Sequence, residues 1–216
     1  MSDDQEKILS RFSIALEQNC NEFDVPLTAA AIDGLRSYYE LFLKWNRRLH
    51  LVSPSSPEEF ATRHVLESLF LVRHLRRHAR IIDVGSGAGL PSIPCLIVRH
   101  DLNATLIESS QKKAVFQSEA LRAVGLSNRA TVVASRFEDV AAAPESDYVT
   151  SRALDRFEEI LGKLIQWAPP DSALLLYGGE SLRQKIEMLL PASHAELIPQ
   201  SERRFLIICP PRNSII

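Results

Sequence analysis

The sequence predicts a doubly wound α/β fold with a helical extension at its N-terminal end, and three observations lead there. From Arg80 onward short β-rich runs alternate with helical stretches, an order that calls for parallel strands joined by right-handed crossovers. The final two runs, AELIP and RFLIICP, are separated only by the polar link QSERR. That link is too short for a crossover helix, so the last strand is expected to run antiparallel to its neighbour. The 216 residues, 45% of them hydrophobic, suffice for one sizeable core with an appendage but not for two full domains. The boundary falls where the texture changes, giving a helical extension over 1–78 packed on an α/β domain over 79–216.

The elements follow in order. Ile8, Phe12, Ala15, Leu16 and Asn19 are spaced for one amphipathic helix, and Thr28 can cap a second whose apolar face holds Ile32, Leu35, Tyr39 and Phe42. After the polar break LVSPSSPEEF, Ser56 as N-cap, Pro57 at the first helical position and Glu59 at the third form a capping box. A helix is expected from Pro57 to about Arg77, with Arg63 and Glu67 four apart and able to pair. Then come IIDV and a helix after Pro91, ATLIES and a helix from Gln111 to Val124, ATVVAS and a loop. DYVTS, a helix from about Asp155 to Trp167, ALLLY, and a helix from about Ser181 to Leu190 precede the last two strands.

Composition removes several classes of function. No apolar run reaches the roughly 20 residues that span a bilayer, and MSDDQEKILS has neither the basic start nor the apolar stretch of a signal peptide. A cytoplasmic protein is expected. Cys20, Cys95 and Cys209 are far apart and lack metal-ligand or redox spacing, so they read as small buried hydrophobes, and no metal site is expected. The net charge of -2 excludes a strongly cationic protein. Local basic groups remain at Arg47, Arg48 and His50, at Arg73 to Arg80, and singly at Lys112, Lys113, Arg136 and Arg152. Each is either a solvated helix end or part of a polyanion-binding face.

The stretch IIDVGSGAGLPSIP holds the chemistry. Gly85, Gly87 and Gly89 follow a strand and precede a helix, where glycines let backbone N–H groups approach a ligand. A dinucleotide fingerprint would need glycine at position 90, which is Leu90. The missing third-spaced glycine disfavours a pyrophosphate cradle. Glu108 ends the next strand about 20 residues on, where a carboxylate can accept hydrogen bonds from both ribose hydroxyls of an adenosine. Asp83, at the first strand's end, can orient the loop or meet a cationic group. An adenosine with a positive charge and no phosphate fits these residues better than NAD does, and S-adenosylmethionine is such a cofactor.

The acceptor is constrained by what is missing. The loop after the fourth strand reads DYVTSRALD, not the Asp/Asn-Pro-Pro-aromatic sequence that serves exocyclic amines, and neither Cys95 nor Cys209 is placed as a nucleophile for pyrimidine C5. A ring nitrogen with its own lone pair needs only positioning against the sulfonium methyl. Arg136 and Arg152 near the pocket favour an anionic substrate such as RNA.

At this point a family resemblance enters. WNRRLHLVSPSSPEEFATRHVLESL, IIDVGSGAGLPSIPCLIVRHD, LIESSQKKAVF, SRFEDV and VTSRAL together resemble the bacterial small-subunit ribosomal RNA guanine-N7 methyltransferase family, RsmG, also called GidB. The resemblance covers most of the chain, and the Leu-Pro-x-Ile-Pro continuation with Ser-Arg-Ala is its most specific part. It implies a Rossmann-like class I methyltransferase sheet over 79–216 and S-adenosyl-L-methionine contacts at Gly85, Leu90, Phe137, Glu138 and Arg152. It also implies RNA-facing cations at Lys112, Lys113 and Arg136, with Arg152 bearing on both ligands and no residue in a proton-transfer role. The implied partner is 16S rRNA or the small ribosomal subunit, methylated on N7 of a guanine in the decoding-region loop, with no obligate protein partner evident. One departure stands out. Where the family commonly has Leu-Lys-Gly at the end of the fifth strand, this chain reads Leu176-Tyr177-Gly178-Gly179, so a cation near the substrate pocket is missing. Two other readings stay open beside this one: a small-molecule methyltransferase, and a non-catalytic RNA-binding or assembly protein on the same fold. The role of His64, between helices or in the site, is left undecided.

Overall fold

The structure, a computed structural model, describes residues 3–152 and 157–214. The expected helix start near Asp155 and Ala153 of the Ser-Arg-Ala stretch lie outside the described residues. The first two helices, α1 (Asp3–Asn19) and α2 (Ala29–Leu49), bury the apolar stripes their spacing predicts, with Phe12 and Leu16 on α1 and Leu35, Tyr39 and Phe42 on α2. Thr28 caps α2 by accepting the Ala31 N–H at 3.2 Å. Their faces meet in an aromatic stack in which Tyr39 lies 4.3 Å from Phe12 and 4.7 Å from Phe60, centroid to centroid. Such contacts contribute about 0.5–1.5 kcal/mol each beyond area burial.

The segment after Ser56 departs from expectation. It begins as α3 (Pro57–Glu59), widens into a π turn over Phe60–Leu66, narrows to α4 (Glu67–Leu69) and ends as a 3-10 turn over Phe70–His74. Ser56 accepts the Glu59 N–H at 3.1 Å, but the Glu59 carboxylate turns to Arg63 instead of back to the cap. Only half of the capping box forms. Helix geometry ends at His74 instead of near Arg77 because Leu75 becomes extended and, like Ala79, is drawn into the core on the way to the first strand.

Seven strands form one sheet: β1 (Arg80–Val84), β2 (Asn103–Ile107), β3 (Ala130–Val133), β4 (Tyr148–Arg152), β5 (Ala173–Gly178), β6 (His194–Leu197) and β7 (Phe205–Cys209). Their order is β3-β2-β1-β4-β5-β7-β6. All pairings are parallel except those of β7, which runs antiparallel to both β5 and β6. The expected antiparallel last strand is therefore present, inserted between its predecessor and β5. Helices α5 (Ser92–Val98) and α6 (Gln111–Ala123) cover one face, with α7 (Phe157–Trp167) and α8 (Glu180–Leu189) on the other.

Strand residues alternate between the two cores as the pleat requires: Ile81 belongs to the core that includes α5 and α6, and Ile82 to the one that includes α7 and α8. The N-terminal helices and one whole face of the sheet share a single continuous core. Because strand order reverses between β1 and β4, the crevice past their carboxyl ends is where an open α/β sheet binds ligands. The basic group at Arg73 to Arg80 lies at the opposite end, and ion pairs engage Arg76 with Asp147, Arg80 with Glu145, and Arg73 with Glu196. Arg76, Arg77, His78 and Arg80 are exposed there, so the group is a solvated surface in which part of the charge is paired. Among the described residues, no helix is long and apolar enough to cross a membrane, and no cluster of side chains could hold a metal ion.

Candidate functional site

The glycine loop leaves β1 with Gly85, Gly87 and Gly89 all at positive φ, a conformation other residues adopt only under strain. Gly89 is further restricted, since an added Cβ would stand 2.3 Å from Ile93 Cδ1 on α5. Several side chains tie the loop down. Glu108, just past β2 and buried, accepts the Gly87 N–H at 2.9 Å on one oxygen and the Ser110 N–H at 2.8 Å on the other. Gln117 on α6 donates to the Gly87 carbonyl at 2.9 Å, and Tyr38 on α2 donates to the Ala88 carbonyl at 2.7 Å. Sequence reasoning missed Gln117 and Tyr38. The first looks like a solvated helix residue and the second like one more member of an apolar stripe.

Asp83 belongs to the loop's support and not to the cavity wall. It is fully buried, with one oxygen accepting the Ser92 N–H at 3.2 Å at the start of α5 and the other without a partner among the described residues. Burial is the main cause that pushes its carboxyl up to about 8. Of its two expected roles, the observed contact is the one that orients the loop.

A cavity of about 940 Å³ opens over the carboxyl ends of the strands, toward the upper end of the ~300–1,000 Å³ typical of ligand sites. Its wall includes Gly85, Gly87, Leu90, Glu108, Phe137, Glu138 and Arg152. Seven of the eight residues expected at the cofactor thus come together, Asp83 being the exception. Phe137 is buried, on a 3-10 turn after β3, and the edge of Trp167 faces it at 5.4 Å. Lys113 and Arg136 also line the cavity, whereas Lys112 is exposed beside it. His50 to Ser53, the loop after α2, form another part of the wall, as does Lys163 on α7. None of these was singled out for the site.

Arg152, at the end of β4, is the most heavily engaged of the set. Its Nη1 donates to the His64 carbonyl and to Ser68 Oγ, both at 2.9 Å, and its Nη2 to the Arg63 carbonyl at 2.6 Å and to Glu67 Oε1 at 3.3 Å. These acceptors exist because the 60–66 turn is π: the Glu67 N–H bonds Thr62 O, five residues back, and leaves the Arg63 carbonyl open. The expected Arg63–Glu67 pair does not form. Arg63 turns to Glu59 at 3.1 Å, and Glu67, whose side chain is 4% exposed, is shared by Arg152 and by Arg204 at 3.0 Å. The π turn shifts the register on which a four-residue pairing depends.

His64 projects from that turn into the cavity wall. Its ring packs 5.2 Å from Phe60, and burial followed by the cations Arg152, Arg63 and Arg204 holds it down to about 3. It is a neutral imidazole at any physiological pH.

A family model described as rRNA small subunit methyltransferase G, GidB, matches residues 31–202. The chain belongs to this family. It is 32% identical over 174 residues to the ribosomal RNA small subunit methyltransferase G of Geobacter sp. (strain M21), covering 80% of each chain. To the protein of the same name from Sodalis glossinidius it is 40% identical over 152 residues, covering 70% of this chain and 71% of the other. Among solved structures, the ribosomal protein L11 methylase from Lactobacillus delbrueckii subsp. bulgaricus superposes with a TM-score of 0.55 at 15% identity, over 68% of this chain and 78% of that one. That likeness is of fold: a Rossmann-like class I methyltransferase sheet, here preceded by helices.

The departure from the GidB pattern at the end of β5 has a structural basis. Tyr177 is buried and donates from its hydroxyl to the Ser68 carbonyl at 2.9 Å. An added Cβ at Gly178 would stand 2.4 Å from Leu182 Cδ2, so a longer side chain there requires the Leu182 side chain to shift. In this GidB chain the cations on the cavity wall come from elsewhere: Lys113, Arg136, Arg152 and Lys163.

Proposed function

We propose that the protein transfers a methyl group from S-adenosylmethionine to N7 of a guanine in 16S rRNA, acting in the cytoplasm on the RNA or on the small ribosomal subunit. The observation that carries this reading is the wall of one cavity, which brings a buried carboxylate, a positive-φ glycine loop and the cations Lys113, Arg136, Arg152 and Lys163 together in a chain of the GidB family. Glu108 would hold the ribose hydroxyls. Its oxygens each already accept one backbone N–H and retain lone pairs for more. Gly85, Gly87 and Leu90 would face the methionine portion, and Phe137 with Glu138 the adenine. The shape and donor set fit an uncharged sugar better than a pyrophosphate.

Bound S-adenosylmethionine supplies an electrophilic methyl on a sulfonium. As the guanine N7 lone pair forms the N–C bond, the C–S electrons return to sulfur, leaving a thioether and a positively charged 7-methylguanine. No proton leaves the base in that step, so no general base is required. The cysteines agree with non-covalent transfer, since all three are buried and none lines the cavity. Burial pushes the Cys95 thiol up and the Cys209 thiol up to about 12, far from nucleophilic thiolates. The protein's contribution is positioning. Lys113, Arg136 and Lys163 would carry the RNA phosphates, with Lys112 alongside.

The test is transfer of labelled methyl from S-adenosylmethionine to unmethylated 16S rRNA, free and in small subunits. Reduction and aniline cleavage, which break RNA at 7-methylguanine, should place the label at one guanine. Label on any other atom, or none with either substrate, would refute the assignment.

A further inference from the structure

Resting on that reading, we infer that His64 is a specificity-determining residue, its Nε2–H donating to the 6-carbonyl oxygen of the target base and so selecting guanine over adenine. The position follows from the sheet order. Glu108 ends β2 and Phe137 follows β3, so an adenosine held there lies over one half of the sheet. The rest of the cofactor must extend over the β1 loop toward β4. The acceptor base then approaches from the β4 side, where Arg152 and His64 stand on the cavity wall.

The tautomer follows from what surrounds the ring. His64 Nδ1 faces Arg152 Nη2 at 3.5 Å, the outer limit of a hydrogen bond, and a guanidinium has only protons to offer. A proton on Nδ1 would point at that cation. The neutral ring therefore carries its proton on Nε2, which meets no acceptor among the described residues. A second proton is opposed from every side. Arg63, Arg152 and Arg204 are close enough to repel an imidazolium, and the nearby carboxylate of Glu67 is already engaged by two of them. Arg152 itself is a poor reader of the base, because its Nη protons go to Arg63, His64, Glu67 and Ser68.

The chemistry of the base completes the inference. Guanine presents N7 and O6 as neighbouring acceptors on one edge, whereas adenine presents N7 beside an N6 amino donor. A single fixed donor next to the methyl path is matched by the first and opposed by the second. The charge on that donor also matters. Methylation places a positive charge on the purine, so a cation at O6 would repel the forming product, while a neutral N–H supports the base without that penalty. Burial and the surrounding arginines thus give His64 the one protonation state that suits the reaction.

The experiment compares 16S rRNA carrying guanine at the mapped target with the same RNA carrying 2-aminopurine, which keeps N7 and lacks the 6-oxygen, in small subunits if those prove to be the substrate. For His64→Phe, kcat/KM on the guanine RNA should fall about 10- to 100-fold, the scale of one specific base contact, while kcat/KM on the 2-aminopurine RNA changes less than threefold. His64→Gln, which can still present a donor, should recover part of the difference, and calorimetry should give all variants a Kd for S-adenosylmethionine within twofold of wild type. His64→Leu is read by the same ratio should His64→Phe fail to fold. An equal fall on both RNAs, or an unchanged guanine rate, would overturn the proposal and leave the guanine-N7 activity standing. Failure of the wild-type protein to methylate 16S rRNA would overturn both.

Discussion

At the residue scale, Glu108 and Asp83 show how two carboxylates close in sequence to the same glycine loop divide its work. Glu108 faces the cavity and holds Gly87 and Ser110, so its removal affects both cofactor and loop. Glu108→Ala should raise the Kd for S-adenosylmethionine about 10- to 100-fold, as the loss of charge-assisted bonds implies, measured by calorimetry. Asp83 is sealed beneath the loop, and its raised carboxyl links it to pH. A carboxyl raised from 3.8 to about 8 binds its proton more tightly in the folded than in the unfolded chain. Its contribution to stability is full below pH 3.8 and is lost as pH rises through 8. Asp83→Asn imitates the protonated form, so the stability difference between variant and wild type should grow in the variant's favour from pH 4 to pH 8. Urea midpoints across that range check it, and a difference that is flat with pH would contradict the assignment. Both carboxylates are legible in the sequence as strand-end acids. Which one faces the ligand is not, because that depends on where the pleat and the loop turn each side chain.

At the element scale, the segment 57–74 is the clearest case of a pattern that sequence conveys incompletely. Ser56, Pro57 and the apolar spacing announce a helix and its start, and both are present. The π turn is not announced, since its cause is a tertiary contact: the Arg152 guanidinium, delivered by β4, takes up the carbonyls that the wider turn opens. The same contact overrides the Arg63–Glu67 spacing rule and recruits Arg204 from the start of β7. Breaking a buried pair leaves an uncompensated charge, which costs ~3–5 kcal/mol. Glu67→Ala should therefore lower stability by about 3 kcal/mol, read as a shift in the urea midpoint, because Arg152 and Arg204 are then left facing each other. Arg152→Lys, which retains the charge but not the fork of donors, should destabilise nearly as much. If the ion pair contributed only as a surface pair does, both changes would cost under about 1 kcal/mol.

At the scale of the whole molecule, the change of texture at residue 79 marks where strands begin but does not divide the core. Leu9, Phe12, Leu35 and Tyr39 from the helices and Ile81, Leu106 and Leu175 from the sheet belong to one cluster. A fragment beginning at residue 79 would expose that sheet face to water and should lack a cooperative urea transition and a native near-UV spectrum. The overall charge of -2 likewise conceals an uneven distribution. Acidic partners engage cations at the strand-start end, whereas Lys113, Arg136 and Lys163 line the cavity at the other. Arg136→Ala should weaken binding to small-subunit RNA and lower the salt dependence of log K by about one unit of slope, with little effect on S-adenosylmethionine affinity.

The amino-acid order by itself determined the alternation of strands and helices, the antiparallel last strand, the glycine loop and the carboxylate after β2. All of these rest on local periodicity, turn chemistry and connection length, which are properties of neighbours in the chain. Only the tertiary structure decided that Arg152 anchors a π turn, that Tyr38 and Gln117 hold the glycine loop, and that His64 faces the cavity as a neutral ring. Those outcomes depend on hydrogen-bond partners brought from 30 to 89 residues away in the chain, and on burial, which local spacing does not encode.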